Sequence, residues 1–301
     1  MTLGGMPPSA ELPPSSGRGS RLLPGEAGRS ILIALVSTIL VFGLIGWIVV
    51  NAPGWTEFQE KFLNAEIFWK SVPLIVPKFW VNIRLFITAE LLILVFGLLL
   101  AVLRSLPGPV FFPLRLMATI YVDVFRALPG LLVIFMLGFG IPGLGIEGIP
   151  NDTFFWGVVA LTLLYSAYVS EVYRAGIDSI HPSQAAAARS LGLSEFQALR
   201  HVIVPQAIRR VIPPLLNDFI GLQKDTVLVA SIGVVEIFRE STIIQQATFN
   251  FTPLMVTALV FLVITIPLAR FTDWLLARQK DRQVRGTMRA LAARRGTGSR
   301  G

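Results

Sequence analysis

The sequence predicts an all-α, polytopic membrane protein of about six transmembrane helices with a helical insert between the later spans. Three observations carry that class. Of the 301 residues, 53% are hydrophobic and only 15% charged, against about a quarter charged in soluble domains. The apolar residues are gathered into runs; "ILIALVSTILVFGLIGWIVV" (31–50) has no charge and matches the ~20 residues that cross hydrocarbon as a helix. Finally, the charges between the runs alternate in sign in the way the positive-inside rule requires.

The elements follow in order. Residues 1–30 are rich in Pro, Gly and Ser and read as a disordered lead-in. The run at 31–50 is longer than a signal-peptide core and shows no cleavage site, so it reads as an uncleaved first span. Segment 51–78 has apolar residues at helical spacing, with Trp55, Trp69 and the following Trp80 suited to an outer interface. Further runs lie at about 79–103, 114–140, 153–173 and 252–272, with a weaker, polar-interrupted one at about 205–238. Arg18, Arg21 and Arg29 place the amino end inside. Arg104 and Arg115 mark an inner loop, Glu147 and Asp152 an outer one. Arg174, Arg189, Arg200, Arg209 and Arg210 put the insert inside again. Residues 278–300 hold eight Lys or Arg against one acid and form a basic inner tail. Both termini are therefore expected on the cytoplasmic side.

Several function classes fall away. There is no cysteine and only two histidines, so no metal centre and no metal or other cofactor is expected. The net charge of +8 is explained by the inner loops and tail, so no nucleic-acid partner is expected. No cluster of catalytic residue types stands at catalytic spacing, so no catalytic residue is assigned. No internal repeat supports an inverted-repeat secondary transporter.

The stretch "SQAAAARSLGLSEFQALRHVIVPQAIRR" (183–210) is too polar for a bilayer and well punctuated for helices. Ser183 is a candidate N-cap for a helix over QAAAARSL. Gly192 stands where a left-handed C′ residue would end it. Ser194 and Gln197 form a capping-box pair that opens a second helix leading to Pro205. The alanines let another surface approach the backbone closely, with Leu191 and Leu193 as apolar anchors. A hairpin packed on its own membrane domain is the equal alternative.

With these residues in view, the insert resembles the cytoplasmic signature of ABC importer permeases, E-A-A-x3-G-x9-I-x-L-P. Ala187 and Ala188 take the alanine places, Gly192 the glycine, and Val202, Val204 and Pro205 the closing positions. Ala186 departs from the usual Glu. "YVDVFRALPGLLVIF" (121–135), with Gly130 for a usual Leu, "SAYVSEVYRAGIDSI" (166–180) and "VPQAIRRVIPPLLNDFIGLQKDTVL" (204–228) are similar to the polar amino-acid branch, the histidine and glutamine permease type.

The resemblance implies a type I importer permease fold in a bacterial inner membrane. It implies an additional first span and outer segment over 31–78, a transmembrane domain over 79–278 and a tail over 279–301. It makes the short helix at about 183–192 a coupling helix whose Ser183, Gln184, Ala186, Ala187, Ala188, Leu191 and Gly192 meet a separate ABC ATPase. The chain itself has no G-x4-G-K-[ST] phosphate loop. An extracytoplasmic solute-binding protein, a second permease copy or a related permease, and membrane lipid complete the implied partners.

Ionisable residues inside spans usually face an interior or a water-filled path. Glu90, Asp123, Arg126, Asp218, Lys224 and Asp225 fall in or near the spans. Asp123 and Arg126, three apart, can pair along one helix face. Alternatively, Asp123, Arg126, Lys224 and Asp225 line the solute path. Glu171 and Arg174 are expected to brace the coupling helix. The function expected is the permease subunit of an ATP-driven importer for polar amino acids. The alternatives are the same machinery for another small solute such as an opine, or an ion-gradient transporter.

Overall fold

Among the described residues, 24–297 for the backbone and 28–278 for side chains, the computed structural model contains helices and turns and no strand. The first 23 residues of the expected lead-in, and the side chains of the basic tail, lie outside the described residues. Helix α1 (Pro24–Val50) begins inside the stretch expected to be disordered, because residues 24–30 continue the first span's helix. Its large apolar side chains, Ile31, Phe42 and Trp47 among them, are all exposed, the surface of a helix made for lipid. Ser37 and Thr38 donate to the Ala34 carbonyl, and Asn51 donates to that of Trp47, so the hydroxyls and the helix end are satisfied locally.

By contacts the chain divides into two units, residues 1–58 and 59–301. The division falls at 58/59, so residues 59–78 of the segment expected at the outer interface belong to the second unit. After α2 (Trp55–Phe62), Asn64 caps α3 (Ala65–Ile75) by accepting from Ile67 N at 3.0 Å. The same segment is tied to the start of the last helix, α13 (Thr252–Thr297). Asn64 N donates to Thr252 Oγ1 (3.1 Å), Phe251 N to the Lys61 carbonyl (2.7 Å), and the Phe62 and Phe251 rings stack.

The remaining elements are α4 (Phe79–Ser105), α5 (Phe112–Ala127), α6 (Gly130–Phe135), α7 (Ile141–Gly143), α8 (Thr153–Asp178), α9 (Pro182–Ser190), α10 (Glu195–Ala198), α11 (Val204–Asp225) and α12 (Ile237–Thr248). A π-helical turn at Met136–Gly140 joins α6 to α7. Four helical stretches are long and apolar enough to span, and the bent pair 112–127 and 130–143 makes a fifth. The sixth run is α11. It has the length but carries Arg209, Arg210, Asp218, Lys224 and Asp225, and so fails as an apolar span. It also continues through Pro205, whose missing N–H is harmless in a first turn.

The core is α4 laid along α8. Leu85, Ala89, Ile93, Gly97 and Leu100 recur on the buried face of α4, against Leu161, Leu164, Ala167 and Val169 of α8. Lipid offers no hydrophobic drive between helices, so close contact of small residues supplies the cohesion. Gly97 is the point of nearest approach: a Cβ there would stand 2.8 Å from Val169 Cγ1 and 3.3 Å from the Ser166 carbonyl. Gly97→Leu is therefore expected to overpack the pair at a cost of about 1–3 kcal/mol, lowering the Tm and folded yield in detergent. Gly43→Leu in α1, where nothing lies within 4 Å, should leave both unchanged.

Candidate functional site

The insert folds as a helix, a tight turn and a second helix. His181, not Ser183, is the N-cap of α9: its ring Nδ1 accepts from Ser183 N at 3.2 Å, and Pro182 takes the first helical position. Sequence favoured Ser because imidazole is a rare cap, but Pro182 fixes the start two residues earlier. The helix closes as expected at Gly192, whose φ of +87° is left-handed. Gly192 N donates to the Arg189 carbonyl (2.9 Å) and Leu193 N to that of Ala188 (3.2 Å), the pair of bonds that defines a Schellman motif. The capping box forms too, with Gln197 N on Ser194 Oγ (3.2 Å) and Ser194 N on Gln197 Oε1 (2.9 Å). The second helix then passes through a π-helical turn at Leu199–Ile203 into α11 without a break.

What the hairpin presents is equally specific. Ser183, Gln184, Ala186, Ala187 and Gly192 are exposed, and Leu191 stands out at 84% exposure. Phe196, which the sequence reading did not single out, adds a second apolar projection at 68%. Ala188 is turned inward at 4% exposure, with Ala198, so it packs on its own chain and leaves the expected docking set. The hairpin's base is held by Arg210 of α11, which donates to the Ser179 carbonyl just after α8.

The expected bracing by Glu171 and Arg174 is not found. Glu171 receives Arg104 of α4 in a direct hydrogen bond and Arg126 of α5 at 3.6 Å, while Arg174 pairs with Asp178 one turn on. The Asp123–Arg126 pair does not form either. Asp123 is exposed, and Arg126 turns across to Glu171. Burial decides this: Arg104 is only 6% exposed and demands a carboxylate, and the Glu171 thus fixed shares its Oε1 with Arg126. Lys224 is exposed.

Asp225 is placed otherwise. It lines a cavity of about 290 Å³ beside the break between α5 and α6, where the axis turns by 107°. The other walls are Gly130, Leu161, Leu164, Tyr165, Tyr168, Asp218 and Leu228. Tyr165 donates its hydroxyl to Asp225 Oδ2 at 2.7 Å. Of the expected path residues, Asp225 alone is at this cavity. The tyrosines three apart on α8 and the aspartates seven apart on α11 each share a helix face, a signal that was available in the sequence.

A bundle of apolar helices with a polar, small-residue hairpin projecting from it has the architecture of a membrane transport subunit. Residues 93–281 match the model of the binding-protein-dependent transport system inner membrane component, and the chain belongs to that family. It is 38% identical over 185 residues (61% of this chain, 83% of the relative) to the probable glutamine ABC transporter permease protein GlnM of Bacillus subtilis. It is 35% identical over 207 residues (65% and 90%) to the glutamate transport system permease protein GluC of Corynebacterium glutamicum. The crystal structure of an amino acid ABC transporter with histidines superposes at TM-score 0.64 and 33% identity, over 69% of this chain and 95% of that one. The inward-facing MetNI methionine ABC transporter shares the fold at TM-score 0.54 and 18% identity, over 68% and 96%. The family's separate ATPase and binding protein are thereby implied as partners.

Removing the shared carboxylate should be far worse than removing the outer arginine. Glu171→Ala strands buried Arg104 and is expected to cost about 3 kcal/mol. Arg126→Ala, losing a pair with half-exposed partners, should cost under about 1 kcal/mol. Thermal denaturation of the two variants in detergent reads the difference.

Proposed function

We propose that this chain is the permease subunit of a polar amino-acid importer of the bacterial plasma membrane. A separate ATPase docks on the exposed face of α9, and a binding protein delivers solute from the other side. Residues 79–278 form the transport domain, with the outer segment packed on it and α1 as an additional span. Two permeases, identical or related, pair to complete the route. The observation that carries the reading is the outward-facing alanine helix closed at Gly192 and flanked by Leu191 and Phe196. Two alanines present the backbone to a partner without side-chain bulk, and the two apolar tips are exposed. In place of the family's usual Glu, Ala186 brings no charge to the exposed face of α9, so docking rests on shape and apolar contact.

The test is co-purification of the ATPase with each variant. Gly192→Val opposes the left-handed turn although open space surrounds it, so it should fold and insert yet lose the ATPase and uptake. Ala187→Arg should lose both by blocking the face, whereas Ala186→Glu should keep them. Retention of the ATPase by both Gly192→Val and Ala187→Arg overturns the docking assignment. Uptake by the reconstituted complex should need ATP and survive an ionophore; collapse with the ion gradient overturns the importer reading.

Orientation follows from the same assignment, since the ATPase is cytoplasmic. Reporter fusions after Ser194 and Lys280 should read inside, and those after Lys78 and Asn151 outside.

A further inference from the structure

The cavity beside the α5–α6 break is chemically one-sided. Two of its walls, Asp218 and Asp225, are acids, two are tyrosines, and none is Lys, Arg or His. The two cations expected on the solute path are elsewhere: Arg126 is on Glu171, and Lys224 is exposed. Tyr165 offers one hydrogen bond to Asp225. A carboxylate oxygen of Asp218 is buried with no hydrogen-bond partner. Glu90 of α4 adds a third acid nearby, close enough to feel the charge of Asp218. An ionised carboxylate away from water needs a counter-charge, and no wall residue supplies one.

We propose that this cavity holds the cationic side chain of a solute on its way through, and that the solute is therefore a basic amino acid. The proposal rests on the importer reading and narrows its substrate. A side-chain ammonium or guanidinium beside Asp218 and Asp225 supplies the counter-charge through charge-assisted hydrogen bonds. The rings of Tyr165 and Tyr168, with centroids 6.3 Å apart and planes inclined at 56°, add faces for a cation. The volume of about 290 Å³ is that of roughly ten waters, the bulk of one amino acid. Glutamine, a zwitterion, brings no net charge to offset the acids, and glutamate brings a further carboxylate against them. Gly130 contributes space: a Cβ there would rest at an ordinary 3.6 Å from Leu164 Cδ1, but a longer side chain would grow into the cavity.

The test uses the full chain in lipid nanodiscs without a binding protein, titrated calorimetrically with L-arginine, L-lysine, L-glutamine and L-glutamate. Arginine and lysine are expected to bind at least ten-fold tighter than glutamine, with glutamate weakest. Asp218→Asn and Asp225→Asn should each weaken arginine at least ten-fold. Gly130→Leu, which leaves every charge in place, should also weaken it and serves where an aspartate variant does not fold. Absence of arginine binding, parity of glutamine or glutamate with arginine, or unchanged arginine affinity in the folded variants overturns the proposal. ATPase co-purification and ATP-dependent uptake would then still stand for the importer reading. Their loss in the unaltered protein would instead count against that reading.

Discussion

In a membrane, a stretch of chain that leaves the helix must find hydrogen bonds inside the protein, and the carboxylate of Glu236 is where this fold meets that demand. Between α11 and α12 the chain runs through a 3-10 segment at Thr226–Ile232 and turns at Gly233, with φ +95°. Glu236 is fully buried. It accepts from Phe238 N and Arg239 N at the head of α12, and from Asn82 Nδ2 of α4 at 2.8 Å. Asn82 in turn reaches Thr226 Oγ1 (3.1 Å) and accepts from Ile237 N (3.2 Å). One carboxylate and one amide thus close an irregular segment onto the central helix.

The position of the cavity follows. Its wall Leu228 lies within the 3-10 segment and Asp225 at the end of α11 just before it, so the junction that satisfies the backbone also sets that side of the pocket. On the other side stands the break after Leu128, with Gly130 opening α6. Tyr121 of α5 bonds across to the Leu163 carbonyl (2.8 Å) and Ser166 (2.9 Å) of α8, holding the helix before the break in place. The pocket exists because two helical stretches depart from regular helix beside it, each secured to α4 or α8.

Much of this was legible in the chain. The apolar runs gave the class. Gly192 with the Ser194–Gln197 pair marked the hairpin, since each is a local rule with few ways of being satisfied. The misreadings share a different origin. Spacing allowed Asp123 to pair with Arg126, but Glu171, far along the chain and already recruited by buried Arg104, was the stronger partner. A run of four alanines has no polar side, so nothing local told Ala188 from Ala187. The long-range Asn82–Glu236 bond left no mark in either segment alone.

Helix α11 joins the hairpin to the cavity, with Arg210 near its start fastened to the end of α8 and Asp225 at its finish. Its 22 residues correspond to a rod of about 33 Å. Pro213 and Pro214 lie in its interior, and neither can donate to the preceding turn. Two successive rungs of the ladder are therefore absent between its ends. In mechanical terms α11 is a jointed lever rather than a stiff rod, most compliant just beyond Arg210. A displacement at the hairpin can bend the near arm while the far arm, bearing both aspartates, keeps its own alignment.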